Sequence, residues 1–213
     1  MKNNLPFRLM LITDRKLCIG KSLINVIKKS ARSGVKAVQL REKDLTSKEL
    51  LALARKIKKI RGIKLIINNR LDIALLSGAY GVHSPEKGIH AKHAKKLVPT
   101  KVGNYYNLIV GKSIHSLNQA IRVEKDGYDY LIFGPVFKTP SKIKYGPLQG
   151  LEKLKNVCQS VSIPVYAVGG INPQRAKKCI QAGAYGVAVI RAILKSKNIA
   201  GTIKEFKTAI GSL

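Results

Sequence analysis

Short apolar runs rich in Val, Ile and Leu recur from one end of the chain to the other, each followed by a stretch whose apolar residues return every three or four positions. The runs Phe7 to Thr13, Lys36 to Glu42, Lys64 to Asn69, Gly81 to Ser84, Leu108 to Ser113, Tyr130 to Pro135, Pro164 to Gly170 and Gly186 to Ile190 predict strands. The intervening stretches carry helix signals. Ser22 to Ser33 stops at Gly34, and Thr46-Ser47-Lys48-Glu49 reads as a capping box that opens a helix to about Arg61. Leu71 to Ser77 ends before Gly78, Ala91 to Leu97 before Pro99, and Ser116 to Lys125 before Gly127. Gly150 to Ser160 follows. Asn172-Pro173 supplies an N-cap and first-turn pair for a helix ending near Gly183, and a last helix runs from about Ile199 to Ala209. Strands that are all short and apolar, each separated from the next by one helix, fit a minimal (β/α)8 TIM barrel, in the α/β class, better than the runner-up, an open doubly wound sheet.

No low-complexity linker interrupts the series, so residues 1–213 are expected to form a single domain, and a hydrophobic fraction of 45% is ample for its core. No run approaches a membrane span or follows a signal-peptide plan, which points to the cytoplasm. Cys18, Cys158 and Cys179 lack metal-type spacing and suit a reducing compartment. The formal charge of +29 favours anionic ligands, yet the basic residues are scattered over short groups such as Lys28-Lys29 and Lys177-Lys178. Aromatics at 6% and the absence of Trp give little support to a specific nucleic-acid platform.

Chemistry concentrates at the carboxyl ends of the expected strands, the end where barrel sites form. In Gln39-Leu40-Arg41-Glu42-Lys43, alternation would aim one amide and two cations the same way, as an anion pocket; a strand running into a solvated loop is the competing reading. Val168-Gly169-Gly170-Ile171-Asn172 and Gly186 to Arg191 leave strands seven and eight. Glycines there let backbone amides approach a phosphate, or serve tight turns only. Asn68-Asn69-Arg70, Ser113-Ile114-His115 and the Gly134 to Lys142 loop bring further polar groups to the same end.

Taken together, Leu11-Ile12-Thr13-Asp14, Gln39 to Lys43, Ile67-Asn68-Asn69-Arg70-Leu71-Asp72, Gly81-Val82-His83, Ser113-Ile114-His115, Gly134 to Lys142, Val168-Gly169-Gly170-Ile171 and Val187-Ala188-Val189-Ile190 resemble the thiamin phosphate synthase and TenI superfamily over essentially the whole chain. The resemblance implies a transferase of thiamin biosynthesis, acting on small phosphorylated pyrimidine and thiazole substrates. It implies that Gln39 holds the pyrimidine, that Arg41, Lys43, Asn68, Ser113 and Lys142 surround the diphosphate, and that Thr139, Gly169, Gly170 and the Ile190-Arg191 backbone serve the thiazole phosphate. A homo-oligomer is left open.

The resemblance also implies Mg²⁺. Asn69 and Gly88, however, stand where acidic ligands are expected, and Glu86 and Asp72 are the nearby carboxylates that could substitute. Two alternatives accompany the synthase. One is a TenI-like thiazole tautomerase, an isomerase with His115 as acid and base. The other is a catalytically silent barrel that binds anions or RNA through its charge.

Overall fold

The computed structural model describes residues 5–18, 20–97, 108–139 and 148–211. Eight parallel strands close into a barrel in sequence order: β1 (Leu9–Ile12), β2 (Ala37–Leu40), β3 (Lys64–Asn68), β4 (Gly81–Ser84), β5 (Ile109–Ile114), β6 (Tyr130–Phe133), β7 (Val165–Val168) and β8 (Gly186–Val189). Closure is made by β1 against β8, with Met10 opposite Ala188. Around it lie α1 (Leu23–Arg32), α2 (Ser47–Lys58), α3 (Leu71–Ser77), α4 (Ala91–Lys96), α5 (Leu117–Lys125), α6 (Gly150–Ser160), α7 (Pro173–Gln181), α8 (Arg191–Leu194) and α9 (Ile199–Ile210). No helix among the described residues is long and apolar enough to cross a membrane.

Alternation along each strand sorts side chains into two cores. Leu9, Leu11, Val38, Leu40, Leu65, Ile67, Val187 and Val189 face outward and meet the helices in one cluster. Met10, Ile12, Ala37, Ile66, Tyr130, Ile132, Tyr166, Val168 and Ala188 face inward and fill the barrel. Small residues make room for the two interior tyrosines. A Cβ at Gly111 would fall 2.0 Å from Cζ of Tyr130, and one at Gly186 2.8 Å from Cε1 of Tyr166. Tyr166 donates to the Phe7 carbonyl at 2.6 Å, so the packed lower barrel also satisfies its buried hydroxyl. The upper barrel, above Ile12, Ile132 and Val168, stays open as a cleft.

Most of the expected elements form close to the expected bounds. The Thr46–Glu49 capping box closes in both directions, with Glu49 N–H donating to Thr46 Oγ1 at 3.3 Å and Thr46 N–H to Glu49 Oε2 at 2.9 Å. Strand β2 ends at Leu40, shorter than the run to Glu42, because Thr13 Oγ1 takes the Arg41 amide at 2.9 Å and turns the chain out of the sheet. Two short helices went unpredicted, the 3₁₀ turn Arg15–Leu17 and α8. At three and four residues they are too short to display a hydrophobic period.

Candidate active site

Seven of the residues singled out from the sequence, Gln39, Arg41, Lys43, Asn68, Ser113, His115 and Ile190, line one cleft of about 810 Å³ at the carboxyl end of the barrel. Ile12, Ile132 and Val168 form its apolar floor. Gln39 is 1% exposed beside them, and the one partner identified for its side-chain amide among the described residues is the Met10 sulfur, 3.8 Å from Nε2. A thioether is a weak acceptor, so an arriving ring nitrogen or amine could replace it at little cost.

Beyond Leu40 the strand direction is lost, and side-chain contacts take over the positioning. Glu42 turns inward and is buried, accepting from the Arg15 amide at 3.0 Å and from the Arg15 guanidinium at 3.1 Å. Arg15 also grips Asp44 through two contacts, at 2.5 and 2.9 Å. Held by Arg15 first and Lys16 next, the Asp44 carboxyl lies well below the usual carboxylate range. This clamp joins the β1–α1 loop to the β2–α2 loop and fixes the backbone that carries Arg41 and Lys43. The Arg15 contribution was missed from the sequence, where nothing marks a loop arginine as the partner of a residue 27 positions away.

His83 is the other residue whose role went unread. It lies on the interior side of β4, next to the strand's last residue and 2% exposed, with Nδ1 3.1 Å from the Tyr130 hydroxyl and Nε2 2.8 Å from Ser113 Oγ. Burial pushes the Tyr130 hydroxyl far up from its ordinary range, so it keeps its proton. The ring thus aims Ser113 from beneath. Alternation was the available signal, since outward Val82 and Ser84 leave His83 facing in.

Just past the next strand, His115 donates Nδ1–H to the Gly134 carbonyl at 2.5 Å, which leaves Nε2 as its remaining ring nitrogen. Gln119 accepts from the His115 amide at 2.7 Å and donates to Glu86 at 2.7 Å, tying the β4–α4 and β5–α5 loops together. Beneath the first of these loops Lys112 is buried, reaching Ser84 Oγ at 3.5 Å and the Gly88 carbonyl at 3.4 Å; burial lowers its pKa.

The glycine side is built differently. Val136 and Phe137 donate to the carbonyls of Val168 and Gly169 at 2.9 and 3.1 Å, so the loop after β6 runs along the loop after β7. A Cβ at Gly169 would meet Pro135 at 2.6 Å, and one at Gly170 (φ +62) would meet the Lys138 carbonyl at 2.6 Å. Arg175 closes the Gly170 carbonyl at 2.7 Å. Gly169, Gly170, Thr139 and Arg191 are not among the residues lining the cleft, while Val168 and Ile190 are. Lys142 lies outside the described residues.

A sequence model described as thiamine monophosphate synthase matches residues 9–193. The chain belongs to that family. A putative thiamine-phosphate synthase of Aquifex aeolicus is 43% identical, over 88% of this chain and 98% of its own length. A thiamine-phosphate synthase of Syntrophomonas wolfei is 38% identical over 96% of both chains. Among solved structures, the thiamine phosphate pyrophosphorylase from Pyrococcus furiosus superposes with a TM-score of 0.84 at 30% identity, covering 96% of this chain and 95% of that one.

Within this thiamine monophosphate synthase barrel, the donors near the cleft do not suit a carboxylate-held Mg²⁺. Asn69 offers a neutral amide, and Gly88 has no space for a side chain, since a Cβ there would lie 2.4 Å from Ser84 Oγ. Glu86 is engaged by Gln119 and Glu42 by Arg15. Asp72, considered above as a substitute ligand, lies off the cleft with its two oxygens on Arg70 at 2.8 and 2.5 Å. No group of three His, Cys, Asp or Glu side chains able to hold a metal occurs among the described residues.

Proposed function

We propose that this chain joins an aminopyrimidine methyl diphosphate to a hydroxyethylthiazole phosphate and releases diphosphate, the transferase reaction of a thiamine-phosphate synthase. The observation that carries the reading is the single cleft with Gln39 at its apolar floor and Arg41 and Lys43 on its rim. Family membership supports the same substrates. A flat pyrimidine fits over Ile12, Ile132 and Val168, with Gln39 offering a donor and an acceptor to the ring edge. The bond between the methylene carbon and the diphosphate oxygen then breaks with both electrons leaving on oxygen. The thiazole nitrogen lone pair forms the new carbon–nitrogen bond.

Charge develops on the departing oxygens, so fixed donors placed there lower the barrier. Arg41, Lys43, Asn68 and Ser113 are assigned to that group, with His83 orienting the Ser113 hydroxyl. Lys142 is assigned there as well on the resemblance alone. Thr139, Gly169, Gly170 and the Ile190-Arg191 backbone are assigned to the thiazole phosphate, at the strand seven and eight loops where barrels commonly hold phosphate. A cytoplasmic setting accords with three buried cysteines that form no disulfide; burial pushes the Cys179 thiol up to about 12.

The test is direct. The purified chain given both substrates should form thiamine phosphate and diphosphate in equal amounts, and no product at high enzyme concentration removes the reading. One observation favours a second function: the His115 Nδ1–H bond to Gly134 leaves Nε2 as the ring nitrogen available beside the cleft, as a thiazole tautomerase needs. If the chain aromatises a thiazole carboxylate phosphate but joins no substrates, and His115→Ala abolishes it, the tautomerase stands instead.

A further inference from the structure

We propose that the diphosphate receptor of this chain works with the side-chain cations Arg41, Lys43 and Lys87 and needs no divalent ion held by protein carboxylates. The inference rests on the synthase reading of the cleft. It adds Lys87, which no motif had singled out, and removes a dependence on metal that the resemblance implied.

All eleven Asp and Glu residues of the chain lie in the described parts of the structure. Three of them line the cleft: Asp14, Glu42 and Glu86. Glu42 is held by Arg15 on the β1–α1 side, and Glu86 accepts from Gln119 of α5. Asp14 is therefore the one cleft carboxylate with no side-chain hydrogen bond or ion pair identified among the described residues, and it follows β1, whereas Asn69 and Gly88 follow β3 and β4.

The surroundings of Gly88 point the same way. The β4–α4 loop approaches Ser84 and Asn69 so closely that a carboxylate side chain at this position would displace Ser84 or Pro85. The buried Lys112 donates to the Gly88 carbonyl from below, at 3.4 Å, so that oxygen is already used by a cationic head group. A divalent ion seated here would meet that like charge at short range.

The cations are arranged to take over. Arg41, Lys43 and Lys87 line the cleft, and none of them enters an ion pair among the described residues. Arg70 lines it too, but its guanidinium is neutralised by Asp72. Lys87 follows Glu86 on the loop that Gln119 and Lys112 hold from two sides, so its charge is delivered by a braced backbone. Three unpaired cations facing one anion supply the charge that a metal would otherwise bring.

Calorimetric titration with inorganic diphosphate, in EDTA and again in millimolar Mg²⁺, tests this on the intact chain. The affinity should differ less than about threefold between the two buffers, and Lys87→Ala should weaken it roughly tenfold in EDTA with an unchanged melting temperature. Asn69→Asp should weaken binding in EDTA and recover it with Mg²⁺, because a carboxylate is returned to the cleft without filling the Gly88 space. Wild-type binding that tightens more than about tenfold on adding Mg²⁺ overturns the proposal. So does a Lys87→Ala variant that binds as the wild type does. Product formation that collapses in EDTA would overturn it while leaving the synthase reading intact. Binding in EDTA without any product would support the receptor and remove the synthase.

Discussion

The cleft has two halves made by different means. On the β2 to β5 side, groups are placed by side chains holding side chains: Arg15 on Glu42, His83 on Ser113, Gln119 on Glu86. On the β6 to β8 side, backbone lies on backbone, and glycines permit an approach that any side chain would block. The charge of the first half sits on side chains such as Arg41, Lys43 and Lys87, so substitution there can alter it, except at Gly88, where a Cβ would lie 2.4 Å from Ser84 Oγ. In the second half a single added carbon alters the shape itself, which limits it to whatever its amides recognise.

Breaking the first half at its centre should have the largest effect. Arg41→Ala is expected to lower turnover by about 100-fold or more, measured as diphosphate release, because a donor at the departing charge is lost. Its folding should hardly change, since Arg41 contributes to the packing through its backbone amide, which the substitution keeps. Gly170→Ala should do the reverse in kind, lowering stability by about 1–3 kcal/mol in urea unfolding and raising KM for the thiazole phosphate. An alanine that left both unchanged would show that the glycine half is not built by close backbone approach.

Arg15→Met sharpens the contrast further. Glu42 would keep only the backbone amide, leaving a buried carboxylate partly unsatisfied, at about 1–2 kcal/mol of stability. The acid limb of the stability profile should flatten as well. Asp44 has its folded pKa lowered by Arg15 and Lys16, so its contribution is present above an ordinary aspartate pKa of ~3.9 and is lost as pH falls through the lower folded value. Without Arg15 the larger cause of that lowering is gone. The smallest effect is expected at Thr46→Ala, which removes a helix cap for about 1 kcal/mol and leaves turnover alone, because the box serves α2 and not the cleft.

Residue order alone specifies the eight repeats, the capping box and the inward or outward sense of each strand position, because periodicity and local hydrogen bonding act within a few residues. It also places Gln39, Arg41, Asn68, Ser113 and His115 at strand ends, and so at one face of a barrel. What it leaves open is every contact between loops. That Glu42 would turn inward depended on Arg15, that Gly88 would have no room depended on Ser84, and that His83 would reach Ser113 depended on strand register. Each is a meeting of residues far apart along the chain, whose distances are set only when the sheet closes and the loops settle over its rim.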